Sequence, residues 1–239
     1  MRFFEKMRNF AREHVFPSGC PLCGRVLLSP QEAYYGLCAE CAEHFPLEYV
    51  PRCQRCGKPL ISEIDLCITC KQEKNWSFDA AVAIYPYIGE FRELLKAYKF
   101  GKFRTLAAFL AEKLILACDL LPAEASNAVW VPVPPRAGKL KQTLWDQIEE
   151  LARILEHRTG SGITISRPLR RLHSKTQKEL DREGRINNLR GKIIVKGPVA
   201  QEIILFDDVF TTGSTLSVCA EALKSAGAQK VWGLCLFYD

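Results

Sequence analysis

The stretch Glu202-Ile-Ile-Leu-Phe-Asp-Asp-Val-Phe-Thr-Thr-Gly-Ser-Thr-Leu216 decides the fold. Its apolar run, residues 203–206, reads as a buried parallel strand. The run ends in two acids, Asp207 and Asp208. A small loop of hydroxyls and one glycine follows, residues 211–215. A helical pattern then covers 216–226 and stops at Gly227, a C-cap residue. A short glycine-containing loop between strand and helix presents backbone N–H groups at the helix N-terminus. Those donors and the helix dipole favour a phosphate. Gly213 lets the backbone approach the anion. The hydroxyls of Thr211, Thr212, Ser214 and Thr215 add further donors. Two carboxylates beside such a nest are wrong for a second phosphate. While ionised they only accept hydrogen bonds, which suits the vicinal hydroxyls of a sugar. The stretch therefore points to a sugar phosphate. The plainer alternative is a strand–turn–helix whose acids cap the turn.

Outward from this stretch, residues 76–239 alternate strand and helix patterns. Residues 80–87, 128–133, 163–165, 192–195 and 230–237 read as strands. Residues 90–100, 105–117 and 144–156 read as helices. Strands separated by helices predict an α/β domain, a parallel sheet with helices on both faces. Ligands on such sheets bind beyond the C-terminal strand ends, where residues 207–215 would lie.

The N-terminal third has a different composition. Eight of the eleven cysteines form four Cys-x-x-Cys pairs between positions 20 and 70. Four thiolates in tetrahedral array make the usual structural zinc site. The spacing predicts one site at Cys20, Cys23, Cys38 and Cys41 and a second at Cys53, Cys56, Cys67 and Cys70; an interleaved pairing is the alternative. Disulfides would need an oxidising compartment, to which nothing in the sequence directs the chain. Metal can replace a missing core in a segment this poor in large apolar residues. The expected organisation is an N-terminal helix and zinc module over residues 1–75 and an α/β domain over 76–239.

Charge and hydropathy exclude several classes. No run of eighteen apolar residues occurs, so no membrane span is expected. Residues 1–16 carry apolar side chains at helical spacing among charges, unlike a signal peptide. The chain reads as cytoplasmic. The first 75 residues hold ten basic and nine acidic side chains. With two Zn(Cys)4 centres of about −2 each they match nucleic acid poorly. Residues 167–192 hold nine basic side chains against three acids, a surplus equal to the net charge of +6. That segment reads either as a solvated face or as a mobile cover over an anionic ligand, with Lys175, Lys178 and Arg185 as candidates.

Residues 202–216 closely resemble the phosphoribosyl pyrophosphate (PRPP) motif of type I phosphoribosyltransferases. In that family the paired acids hold the ribose 2- and 3-hydroxyls and the Thr-Thr-Gly loop holds the 5-phosphate. The resemblance implies that Asp207 and Asp208 are the catalytic pair, orienting ribose. It implies that Thr211, Thr212, Gly213, Ser214 and Thr215 complete the PRPP site. The order of zinc module and α/β domain is similar to the ComF/GntX-type phosphoribosyltransferase-like family. So are the pattern Thr176-Gln177-x-x-Leu180-x-x-x-x-Arg185-x-x-Asn188, the residues Lys96 and Lys99-Phe100, and the run Val131-Pro-Val-Pro134. This resemblance spans nearly the whole chain. It places a pyrophosphate loop at residues 136–141 and so adds Arg136 to the PRPP set. The family usually continues with Arg-Gly-aromatic-Asn-Gln. This chain has Thr143-Leu-Trp-Asp-Gln147, keeping only Trp145 and Gln147 in pattern. The resemblance further implies Mg²⁺ on the pyrophosphate, pentosyl transfer, and a role in single-stranded DNA uptake during natural competence with a DNA-uptake helicase as partner. The alternative is a non-catalytic PRPP sensor or a single-stranded-DNA-binding adaptor.

Overall fold

The computed structural model describes residues 19–72, 76–101, 103–135, 145–158, 162–172 and 191–239. Its strands are β1 (Ala80–Pro86), β2 (Val129–Pro132), β3 (Leu169–Arg171), β4 (Ile193–Val195), β5 (Glu202–Phe210) and β6 (Lys230–Tyr238). Its α-helices are α1 (Pro30–Tyr35), α2 (Ala39–Glu43), α3 (Ile68–Gln72), α4 (Gly89–Lys96), α5 (Leu106–Ala117), α6 (Gln147–His157) and α7 (Ser214–Ser225). The main sheet has the order β1-β6-β5-β2, and every pair is parallel.

Strand β5 lies inside the sheet because both its faces are apolar. Ile204 and Phe206 join the core under α5 and α6. Ile203 and Leu205 join the core under α7. This alternation is the two-residue period of a strand, and helices therefore cover both faces. The strand is longer than its apolar run predicts. It pairs with β6 through Val209↔Phe237 and Phe210↔Tyr238, so the two acids stand within the strand.

The cysteine-rich segment covers the exposed edge of β1 and divides over the two cores. Cys20, Cys38, Cys41 and Phe45 pack with α5 and α6. Cys53, Cys56, Cys70, Trp76 and Phe78 pack with α7. Between them the chain satisfies the β1 edge. The Ala81 N–H donates to Arg55 O at 2.8 Å, and Arg52 Nη1 donates to Ala83 O at 2.9 Å. An uncovered edge would offer these groups to another chain.

Three local expectations are corrected. The helix predicted over 90–100 ends at Lys96 and continues as a π-turn, Ala97–Gly101. The strand at 163–165 is a single parallel bridge between Ile165 and Trp130. The start of the basic segment is a paired strand rather than simply a solvated face. β3 pairs antiparallel with β4, and Arg167 is ion-paired with Glu149 at 3.0 Å and Glu156 at 2.9 Å. Lys175, Lys178, Arg185 and Arg136 lie outside the described residues, as do the N-terminal amphipathic pattern and residues 136–141. Among the described residues no helix is long and apolar enough to cross a membrane.

Candidate functional site

The elbow after β5 is built by Gly213. Its φ of 70° is left-handed, and it is the N-cap of α7 with no side-chain capping bond. A side chain there would also meet Phe210 at 2.9 Å and Trp76 at 3.4 Å. Gly213 and Ser214 are buried, Thr212 and Thr215 are half-buried, and Thr211 is exposed. The Thr212 and Ser214 hydroxyls are 2.7 Å apart. The outer hydroxyls and the first turn of α7 therefore sit together at the C-terminal end of an interior strand, in the position the sequence predicts. Trp76, edge-on to Phe210 at 5.5 Å, and Ser77, whose N–H donates to Ser217 Oγ at 3.1 Å, brace this turn from the ribbon side.

The acids have unequal surroundings. Asp208 is buried, and its Oδ2 accepts from Gln147 Nε2 at 2.6 Å and pairs with Lys99 Nζ at 2.8 Å. Gln147 opens α6, whose N-cap Asp146 accepts from the N–H groups of Ile148 and Glu149. Lys99 comes from the π-turn after α4, fixed by Tyr98 Oη donating to Gln147 O at 2.6 Å. Asp207 is half-buried, and its Oδ1 accepts from the N–H of Asp208 at 2.8 Å. Burial first, and then the neighbouring Asp208, raise its carboxyl well above the usual carboxylate range. Burial, and then the charge of Asp207, push the Cys219 thiol of α7 up to about 12. Sequence reasoning gave no role to Lys99, Gln147 or Trp76. The only signal for the first two was their match to the family pattern. Nothing pointed to Trp76.

The metal ligands fall where the spacing places them. The sulfurs of Cys20, Cys23, Cys38 and Cys41 lie within 4.8 Å of one another, as do those of Cys53, Cys56, Cys67 and Cys70, which excludes interleaved pairing. Cys23 and Cys38 Sγ are 3.6 Å apart, and Cys56 and Cys67 Sγ are 3.7 Å apart. Four Zn–S bonds of about 2.3 Å in a tetrahedron put the sulfurs about 3.8 Å apart. Two all-thiolate tetrads thus fit two structural zinc ions, with no ligand position left for chemistry. Of the other cysteines, Cys219 and Cys235 are buried and Cys118 is half-buried against the core.

A parallel sheet with an interior strand running into a twin-acid, hydroxyl-rich elbow, edged by two cysteine tetrads, defines an α/β protein with an N-terminal double zinc ribbon. Residues 11–72 match the family model of the double zinc ribbon domain. The resemblance to ComF-type proteins holds over most of the chain. It is 28% identical over 227 residues to "DNA utilization protein YhgH" of Salmonella typhimurium, covering 92% of this chain and 97% of that protein. It is 29% identical over 213 residues to "Competence protein F" of Haemophilus influenzae, covering 83% and 90%. Among solved structures, a purine phosphoribosyltransferase from Pyrococcus horikoshii aligns with 55% of this chain and 83% of its own, at 19% identity and a TM-score of 0.30.

Proposed function

We propose that the chain binds PRPP at the end of β5 and serves the handling of incoming DNA in the cytoplasm. The carrying observation is the joint placement of the acids, the left-handed Gly213 and the first turn of α7, whose N-cap Gly213 offers no side-chain cap. In this reading the 5-phosphate rests on the N–H groups and hydroxyls of residues 211–215. Asp207 and Asp208 orient the ribose hydroxyls. Mg²⁺ and Arg136 offset the charge of the pyrophosphate, and Lys175, Lys178 and Arg185 serve as cover. The link to DNA comes from the names of the relatives. The basic surplus of residues 167–192 supplies the electrostatic means for single-stranded DNA or a DNA-uptake helicase to engage.

A second reading, a PRPP sensor without turnover, is favoured by the run Thr143-Leu-Trp-Asp-Gln147. Its last three residues have structural uses here. Trp145 stacks edge-on with Tyr98 at 5.2 Å, Asp146 caps α6, and Gln147 holds Asp208. A thermal-shift screen with PRPP, ribose 5-phosphate and Mg²⁺, followed by pyrophosphate release against bases and amines, separates the two. A PRPP-dependent shift with release supports transfer, and a shift without release supports sensing. No shift with any sugar phosphate contradicts both.

A further inference from the structure

We propose that Lys99 is a ligand-binding residue of this site, its ammonium bridging Asp208 and the pyrophosphate group of bound PRPP. The proposal rests on the PRPP reading above and names a residue that reading does not use. The first support is position. Lys99 Nζ lies 2.8 Å from Asp208 Oδ2, with side chains 22% and 9% exposed, so this is no solvated surface pair. The second is how the residue is held. It sits in the π-turn Ala97–Gly101, between Tyr98, which is 1% exposed and bonded to Gln147 O, and Phe100, which is 81% exposed. Such turns widen a helix locally and occur often at functional sites. The turn thus carries Lys99 from a fixed anchor to the margin of the site.

The third support is charge. A diphosphate placed beside the carboxylate of Asp208 adds like charge, which a cation in contact with both would offset. Among the described residues, Lys99 is the one side chain that ion-pairs with either acid. The fourth is donor geometry. An ammonium has three N–H groups, and the Asp208 contact uses one. On PRPP the pyrophosphate is attached beside the 2-hydroxyl. A cation touching an acid that holds the ribose hydroxyls is therefore next to the pyrophosphate, and remote from the 5-phosphate in the elbow. Asp208 also accepts from Gln147, so its own hydrogen bonding does not depend on Lys99 alone.

The test compares two ligands that differ only in the pyrophosphate. Wild type and Lys99→Met are titrated calorimetrically with PRPP and, separately, with ribose 5-phosphate, both in the presence of Mg²⁺; circular dichroism checks the fold. Lys99→Met should weaken PRPP about tenfold to a hundredfold, the range of one hydrogen bond to a charged group. It should leave ribose 5-phosphate unchanged, and Lys99→Arg should recover part of the PRPP loss. If Lys99→Met does not fold, Lys99→Gln takes its place with the same expectation. Equal loss of both ligands makes Lys99 a support for Asp208 only and overturns the proposal. So does no loss of either. Wild type that binds ribose 5-phosphate as tightly as PRPP overturns the Lys99 assignment while leaving a sugar-phosphate site standing. Wild type that binds neither removes the PRPP reading, and Lys99 with it.

Discussion

Lys99 Nζ and Asp208 Oδ2 stand 2.8 Å apart at the end of β5, with Gln147 Nε2 donating to the same oxygen at 2.6 Å. The contact ties the π-turn after α4 and the first residue of α6 to the strand that carries the acids. Removing the carboxylate leaves a partly buried ammonium without its partner. Asp208→Ala should therefore destabilise the fold by about 1–3 kcal/mol, below the cost for a fully buried pair because Lys99 is partly exposed. Asp208→Asn, which keeps an acceptor for Gln147, should cost less. Urea unfolding of both variants measures this.

Asp207 gives stability a pH dependence. Its carboxyl is raised in the folded protein, chiefly by burial and then by Asp208. The folded state thus holds a proton that the unfolded chain releases. For an acid raised on folding, this contribution is complete below the unfolded carboxylate range and falls as pH rises toward the folded value. Asp207→Asn cannot ionise, so its melting temperature should fall less than that of wild type between pH 5 and 8. Parallel curves would contradict the burial of this charge.

Gly213 is required twice, by its φ of 70° and by Phe210 at 2.9 Å from any added Cβ. Gly213→Ala should cost about 1–2 kcal/mol from the left-handed backbone alone. It should also weaken PRPP binding by shifting the first turn of α7. Thermal melts with and without ligand check both effects.

The ribbons pack against the edge and both cores of the sheet rather than standing apart from it. Gly57, with a φ of 68°, sits so close to β1 that an added Cβ would lie 2.3 Å from Ala81 O. Metal analysis should return two zinc ions per chain, and Cys41→Ser or Cys70→Ser should each reduce that to one. Because the tetrads pack against cores on opposite faces, chelation should lower the melting temperature of the whole domain, not of the N-terminal third alone.

What the sequence disclosed follows from how local each signal is. The elbow was legible because Ile203 to Phe206 and the hydroxyl–glycine loop are contiguous, and their chemistry acts at short range. The cysteine tetrads were legible because Cys-x-x-Cys spacing is itself a geometric constraint. The strand's true end was not. Asp207 and Asp208 break the apolar run, but pairing with β6 continues to Phe210. The β3 strand was hidden because Leu169 alone is buried among basic neighbours, leaving no alternation to detect. The contacts of Lys99 with Asp208 and of Trp76 with Phe210 join residues more than a hundred positions apart, and packing of that kind leaves no local pattern.

The central claim is that a pentose phosphate rests on the acids and elbow of residues 207–215. The most direct measurement is titration calorimetry of PRPP with Mg²⁺ into wild type and into the Asp207→Asn, Asp208→Asn double variant. The account predicts saturable binding to the wild type and its loss in a variant that keeps a cooperative thermal transition. Equal affinity in the two proteins would contradict it.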